Sequence, residues 1–187
     1  MESTDVVATT AKGEARRTAL QDAVIRVLED GGPGAVTHRA VAAEAGVPVA
    51  AATYYFAGID DLFVSALLRV TAEQVALFAP LNRDSGLADL AAVLHDWVYS
   101  SRASAIAHYE LLFLAMRRDS LREAADLWYR ALEDAIDPLV SDPRCAWVVA
   151  LAIDGLILRM LWRGEPESVA AVETALRDIL GAPPGAI

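Results

Sequence analysis

Apolar positions recur at helical spacing along nearly the whole chain, and no stretch shows the strict alternation of a strand. Leu20, Ala23, Val24, Val27 and Leu28 follow the i, i+3, i+4, i+7, i+8 pattern of one helix face, and Gly31-Gly32-Pro33-Gly34 ends that helix. Thr37 is placed to cap a short helix reaching about Ala45, which Gly46-Val47-Pro48 breaks. A second short helix runs from about Val49 to Tyr55. Asp60 and Asp61 put carboxylates where a helix start favours them, and Leu62, Phe63, Ala66, Leu67 and Val70 form the stripe of a helix that stops near Pro80. The spacing then predicts helices over about 87–100 and 105–117, separated by a turn at 101–104, with the second apolar on most sides. Ser120-Leu121-Arg122-Glu123 fits a capping box opening a helix that ends near Pro138. Asp142-Pro143 reads as the cap of a helix reaching Arg163, and a last helix runs to about Leu180. The expected fold class is all-α, with about nine helices.

Composition narrows the function. A chain of 187 residues is one domain, or a small module fused to a larger one. With 55% hydrophobic and 22% charged residues it carries enough apolar side chains for a core. One cysteine forms no internal disulfide, and three histidines beside it are poor material for a structural zinc site. The stretch Met1 to Lys12 is polar and acidic, without a signal-peptide core. The apolar run 145–153 ends at Asp154, well short of the ~20 residues a membrane helix needs. A cytoplasmic protein with no membrane partner is expected. The net charge of −10 disfavours a general nucleic-acid coating protein but leaves room for a local reading surface. No nucleophile elbow, phosphate loop or zinc motif is present, so neither catalysis nor a cofactor is expected.

The informative segment is 37–56, THRAVAAEAGVPVAAATYYF. Two short helices meet at Gly46, which suits the left-handed turn between them, and Ala42 is small where the helices cross. This is the physics of a helix-turn-helix, though an ordinary helical hairpin satisfies the same spacing. The second helix carries small residues followed by Thr53, Tyr54 and Tyr55, which allows close approach to a groove, hydroxyl contacts to phosphate and methyl contacts to thymine.

Arg16-Arg17, the run 23–31, Thr37-His38-Arg39-Ala40-Val41-Ala42, Ala45-Gly46-Val47, Tyr54-Tyr55-Phe56 and Asp60-Asp61-Leu62-Phe63 together resemble the DNA-binding domain of TetR-family transcriptional regulators. The likeness is specific over about 14–66 and architectural beyond residue 70. Ile153-Asp154-Gly155-Leu156 is similar to the dimerisation helix of many members. The resemblance implies a DNA-contacting set of Arg16, Arg17, Thr37, His38, Arg39, Pro48, Val49, Ala50, Thr53, Tyr54 and Tyr55, with Phe56 in the core. It implies a disordered arm over 1–13, a helix-turn-helix domain over 14–58, a helical ligand-binding and dimerisation domain over 59–180, and a disordered tail over 181–187.

Two departures stand out. Ile59 occupies the place where many members have a phosphate-binding lysine, and Ala50 and Ala51 replace a common glycine and threonine. Residues 1–60 hold five basic and eight acidic groups, so a reading surface requires Arg16, Arg17, His38 and Arg39 to share one face.

In the second half, Phe78, His95, Trp97, Tyr99, His108, Tyr109, Leu112, Met116 and Trp128 are candidates for lining an effector cavity, although core filling is the simpler role for any one of them. No carboxylate or cysteine accompanies His95 or His108 in a metal pattern. Trp147, Val148, Leu151, Asp154, Leu158 and Leu161, with Val172 and Leu176 on the last helix, are expected at a two-fold seam, because one helix apolar nearly all round needs a central place or a partner. The expected function is a repressor that binds a near-palindromic operator as a homodimer and is released by an apolar or aromatic small molecule. The alternatives are a helical interaction protein that has lost specific DNA binding, and a carrier or enzyme built on the same cavity.

Overall fold

A computed structural model describes residues 11–78, 80–81, 85–140 and 146–181. Nine α-helices and no strand occur among them: α1 (Ala11–Gly31), α2 (His38–Glu44), α3 (Val49–Tyr55), α4 (Ile59–Phe78), α5 (Leu87–Ser100), α6 (Arg102–Ala115), α7 (Arg122–Ile136), α8 (Ala146–Arg163) and α9 (Val169–Leu180). The all-α expectation holds. The chain forms two compact units that divide inside α4, after Ala66. The anticipated arm over 1–13 lies outside the described residues up to Thr10, and α1 already includes Ala11. The anticipated tail and the Asp142-Pro143 cap also lie outside them, apart from Gly181.

The first unit is a three-helix core joined by the start of α4. Leu20, Val24 and Leu28 of α1 close on Val41 and Ala42 of α2, Ala52 of α3, and Leu62 and Phe63 of α4, all buried. Local chemistry fixes the turns. Thr37 Oγ1 accepts from Ala40 N at 3.0 Å, the N-cap read from the sequence. Gly46 has φ 66°, and Val47 N bonds back to Ala42 O at 2.9 Å, so α2 ends in a left-handed turn that sends the chain into α3. Asp61 accepts from Gly58 N at 3.1 Å and seals the start of α4. Arg26 of α1 pairs with Glu44 of α2, and Gln21 Nε2 donates to Ser65 Oγ at 2.7 Å.

In the second unit α5 packs most extensively on α9, and α7 on α8. Trp97, Leu90 and Leu94 of α5, Leu111 of α6, Trp128 and Leu132 of α7, Ile153, Ile157 and Met160 of α8, and Val172 and Leu176 of α9 are among its buried groups. Two boundaries differ from the periodicity. α6 begins at Arg102, directly after Ser101, so the expected four-residue turn is a single-residue break. α7 opens through a short 3-10 turn at Asp119–Leu121 with no side-chain cap on Leu121, in place of the Ser120 capping box. Helix α6 is also less enclosed than its apolar pattern predicts: Ile106 and Phe113, and Met116 just past its end, are exposed.

Candidate functional site

The first unit presents α3 as a helix with one buried side chain, Ala52, and an outer surface of Pro48, Val49, Ala50, Thr53 and Tyr54. Tyr54 is 79% exposed and packs edge-on against the half-buried Tyr55, with ring centroids 5.1 Å apart. The Thr53 hydroxyl lies 3.2 Å from Ala50 O and 3.4 Å from Val49 O, so it donates within its own helix and offers its methyl outward. Small and methyl-bearing side chains therefore dominate the surface that α3 offers. Tyr54 alone carries an outward polar handle.

His38 behaves differently from its neighbours. Its Nε2 lies 2.9 Å from Phe56 O, and because a carbonyl only accepts, the ring donates and ties the end of α3 to the start of α2. Arg16, Arg17 and Arg39 are exposed and make no ion pair among the described residues. Arg26, the remaining arginine of this unit, is spent on Glu44. The pairing of Glu44 with Arg26 withdraws one of the eight acidic groups counted over residues 1–60.

The second unit holds an enclosed aromatic and polar cluster. Trp97, His108, Tyr109 and Trp128 lie ring to ring: His108 is 4.5 Å from Trp128 and 5.9 Å from Trp97, and Trp97 is 5.5 Å from Trp128. Tyr109 stacks 6.4 Å from Trp97, and its hydroxyl donates to Asp154 Oδ1 at 2.6 Å. Several polar atoms of this cluster have no partner: both ring nitrogens of His108 and the indole N–H groups of Trp97 and Trp128. The Trp128 N–H lies close enough to Asp154 to favour its charged form, yet makes no hydrogen bond of acceptable geometry. Burial depresses the His108 pKa to about 3, so the ring is neutral. Burial raises the Asp154 carboxyl above its usual range, against the pull of Tyr109 and Trp128. Burial, then the neighbouring carboxylate of Asp154, pushes the Tyr109 phenol well above its ordinary value. An unsatisfied buried polar group costs about 1–3 kcal/mol, so this cluster is a poorly satisfied part of the described core. On α4 of the same unit, Thr71 Oγ1 and Gln74 Oε1 are also buried and unpartnered.

The other cavity candidates sit differently. Phe78 and Leu112 are buried, while Met116 is 70% exposed. His95 Nε2 bonds Glu167 O at 2.9 Å, and Tyr99 OH accepts from Glu167 N at 3.2 Å, so both hold the loop between α8 and α9. Arg102 completes that clasp by donating to Leu161 O at 2.5 Å. Sequence spacing carried no sign of Arg102, whose partner lies 59 residues away, or of the buried Thr71 and Gln74. Of the seam candidates, Trp147, Val148 and Leu151 are half exposed and Leu158 partly so. Asp154, Leu161, Val172 and Leu176 are buried inside the subunit. No group of three or more histidine, cysteine, aspartate or glutamate side chains is placed to hold a metal among the described residues, and no described helix is long and apolar enough to cross a membrane.

A helix-turn-helix unit followed by an all-helical unit with buried, unpartnered polar atoms is the architecture of a transcriptional regulator. The comparisons agree. Residues 20–66 match the profile of bacterial regulatory proteins of the tetR family, and residues 81–182 match the tetracyclin repressor-like C-terminal domain. The HTH-type transcriptional regulator BetI of Rhizobium meliloti (strain 1021) is 28% identical over 182 residues, covering 89% of this chain and 88% of its own. The multidrug binding protein EbrR in complex with ethidium is 31% identical with TM-score 0.77, over 88% of this chain and 98% of its own. A TetR-family member from Streptomyces coelicolor A3 is 31% identical with TM-score 0.79, over the same shares. The chain belongs to the TetR family of transcriptional regulators.

Proposed function

We propose that this regulator is a repressor that binds a near-palindromic operator as a homodimer and leaves it when an aromatic or largely apolar small molecule enters the second unit. The observation that carries the reading is the buried, unpartnered polar set of Trp97, His108 and Trp128, in a chain whose other unit exposes a recognition helix. A sealed core has no use for four orphaned polar atoms, whereas an effector site does. EbrR has been captured with ethidium, proflavin and malachite green, which supports an aromatic ligand for this chain.

The exposed face of α8 supports the dimer. Trp147, Leu151, Gly155, Leu158 and Trp162 fall within one ~80° arc at 100° per residue, and Trp162 is 89% exposed. An apolar stripe of this kind around a central glycine suits a second copy of the same helix across a two-fold axis. Two copies place two recognition helices for a symmetric site, with half-sites about one DNA turn apart. Helix α4 begins in one unit and ends in the other. Through it, a ligand that favours one conformation shifts the spacing of the recognition helices, by no more than its difference in affinity for the two states.

The test is a screen of aromatic compounds for release of the protein from a duplex taken from beside its own gene. A compound that binds the protein and releases the duplex at saturation is the expected result. Binding without release by every such compound contradicts the effector role.

A further inference from the structure

Gly155 is the only glycine that lies beyond the first and last turns of a described helix. Glycine is the least favourable helix residue after proline, so its place in the middle of α8 needs a reason. The subunit supplies none. Its φ is not positive, unlike those of Gly32, Gly46, Gly164 and Gly181. A Cβ on Gly155 would meet no atom beyond its own stretch of backbone within 4 Å, whereas one on Gly31 would run into the Ala35 Cβ at 2.7 Å. Gly155 is exposed, and it sits at the centre of the outer face of α8 in both directions. Along the helix it is eight residues from both Trp147 and Arg163. Around the helix, the exposed positions run from Trp147 to Arg163 over an arc of roughly 160° at about 100° per residue, and Gly155 falls at its midpoint. Trp147, Val148, Leu151, Leu158 and Trp162 flank it with apolar side chains. Together they expose roughly 500 Å² per copy, so a symmetric pair would bury roughly 1,000 Å², about what a specific interface needs.

We infer that the α8 helices of two protomers cross at Gly155, glycine against glycine on the two-fold axis, with their backbones closer than any side chain at that position would permit. The inference rests on reading this face as the homodimer seam and adds the point of contact and the reason for the glycine. A two-fold axis brings the residue it passes through against its own copy, so any Cβ there meets its twin. Ordinary helix pairs stand about 8–10 Å apart, held off by the side chains between them. With no side chain at Gly155 the helices settle closer, and Val148, Leu151, Leu158 and Trp162 on either side reach the partner. Trp162, the most exposed of these, supplies the largest contact.

The experiment is sedimentation equilibrium of the full chain carrying Gly155→Ala or Gly155→Leu, with circular dichroism on the same preparations. The subunit by itself has room for a side chain at this position, so helix content should hold. The dissociation constant of the dimer is expected to rise about tenfold with alanine and at least about a hundredfold with leucine. A glycine away from the crossing predicts the opposite sign, because an added leucine enlarges the apolar face and tightens the pair. In a Cys145→Ser background, Gly155→Cys should give a disulfide-linked dimer on mild oxidation, since the bridge needs Cα atoms about 4.4–6.8 Å apart. An unchanged or tighter dimer in the Gly155 variants, while Leu151→Lys separates the protomers, overturns the crossing point and leaves the seam standing. An unchanged dimer in all three overturns the seam on this face as well.

Discussion

The two units treat their polar groups in opposite ways. In the first, hydroxyls, imidazole and carboxylates are satisfied locally: Thr37 caps α2, Thr53 bonds within α3, His38 ties down Phe56 O, and Asp61 caps α4. Tyr54, Arg16, Arg17, Arg39 and the methyl-bearing face of α3 stay exposed, the set proposed here to meet DNA. In the second unit Tyr109, His95, Tyr99 and Arg102 are bonded, but the buried nitrogens of His108, Trp97 and Trp128 have no partner. A surface that meets a rigid, highly charged polymer profits from a pre-stiffened scaffold. A site that encloses a small molecule keeps unsatisfied groups for its guest.

That contrast is most easily broken through acid. The His108 pKa falls from 6.5 to about 3 on folding, so the unfolded chain takes up a proton that the folded one refuses. The stabilising effect of neutral His108 is full above about pH 6.5 and is lost as pH falls toward 3, a loss on the order of a few kcal/mol over the whole window. Asp154, raised by burial, works in the opposite direction, because its folded form holds a proton that the unfolded carboxyl has released. Urea unfolding at pH 7 and pH 5 should therefore show an acid loss in the wild type that is clearly smaller in His108→Phe. An equal loss in both would place the acid-sensitive group elsewhere.

Leu151→Lys should cost about 2–3 kcal/mol of association at the proposed α8 seam, since it sets two ammonium groups into an apolar face. Sedimentation should show the monomer at concentrations where the wild type is paired, with operator affinity falling alongside. An unchanged dimer would move the seam off this face. Ala42→Leu acts only on the reading half. Ala42 is fully buried where α2 meets α3, and overpacking there costs about 1–3 kcal/mol. Operator affinity should drop tenfold or more, with binding of the aromatic effector unchanged. A loss of effector binding of the same size would mean that the two halves do not act as separate modules. The smallest effect concerns the methyl surface of α3. If Val49, Ala50 and the Thr53 methyl read thymine methyls, replacing the contacted thymines by deoxyuridine should cost roughly 0.5–0.8 kcal/mol per methyl, measured as anisotropy on otherwise identical duplexes.

The sequence exposes these two halves unequally, and the reason is sequence distance. The Thr37 cap, the Gly46 turn and the Asp61 cap join residues within a few positions of one another, so local spacing shows them. Ala42 at the helix crossing is equally visible. The second unit is built from pairs far apart: Tyr109 to Asp154 spans 45 residues, His95 to Glu167 72, and Arg102 to Leu161 59. Periodicity placed Trp97, His108, Tyr109 and Trp128 on helices but could not show that they share one cluster. Nor could it show that His95 and Tyr99 serve a loop. Asp154 illustrates the limit: within an apolar run it read as a seam residue, and only the fold turns it toward Tyr109. The apolar residues of α8 divide into an inner face buried in the core and an outer face left exposed, which a count of apolar residues does not separate.

The central claim is that this acidic chain, with Ile59 in place of a common phosphate-binding lysine, still reads a specific DNA sequence. Fluorescence anisotropy on the duplex beside its own gene, against a scrambled duplex of equal length at two salt concentrations, tests it most directly. The expected result is a preference of roughly 10³ or more for the native duplex, weakening as salt rises. Equal, weak binding to both, with no sequence enriched from a random duplex pool, would contradict it and leave a helical ligand-binding protein that has lost its operator.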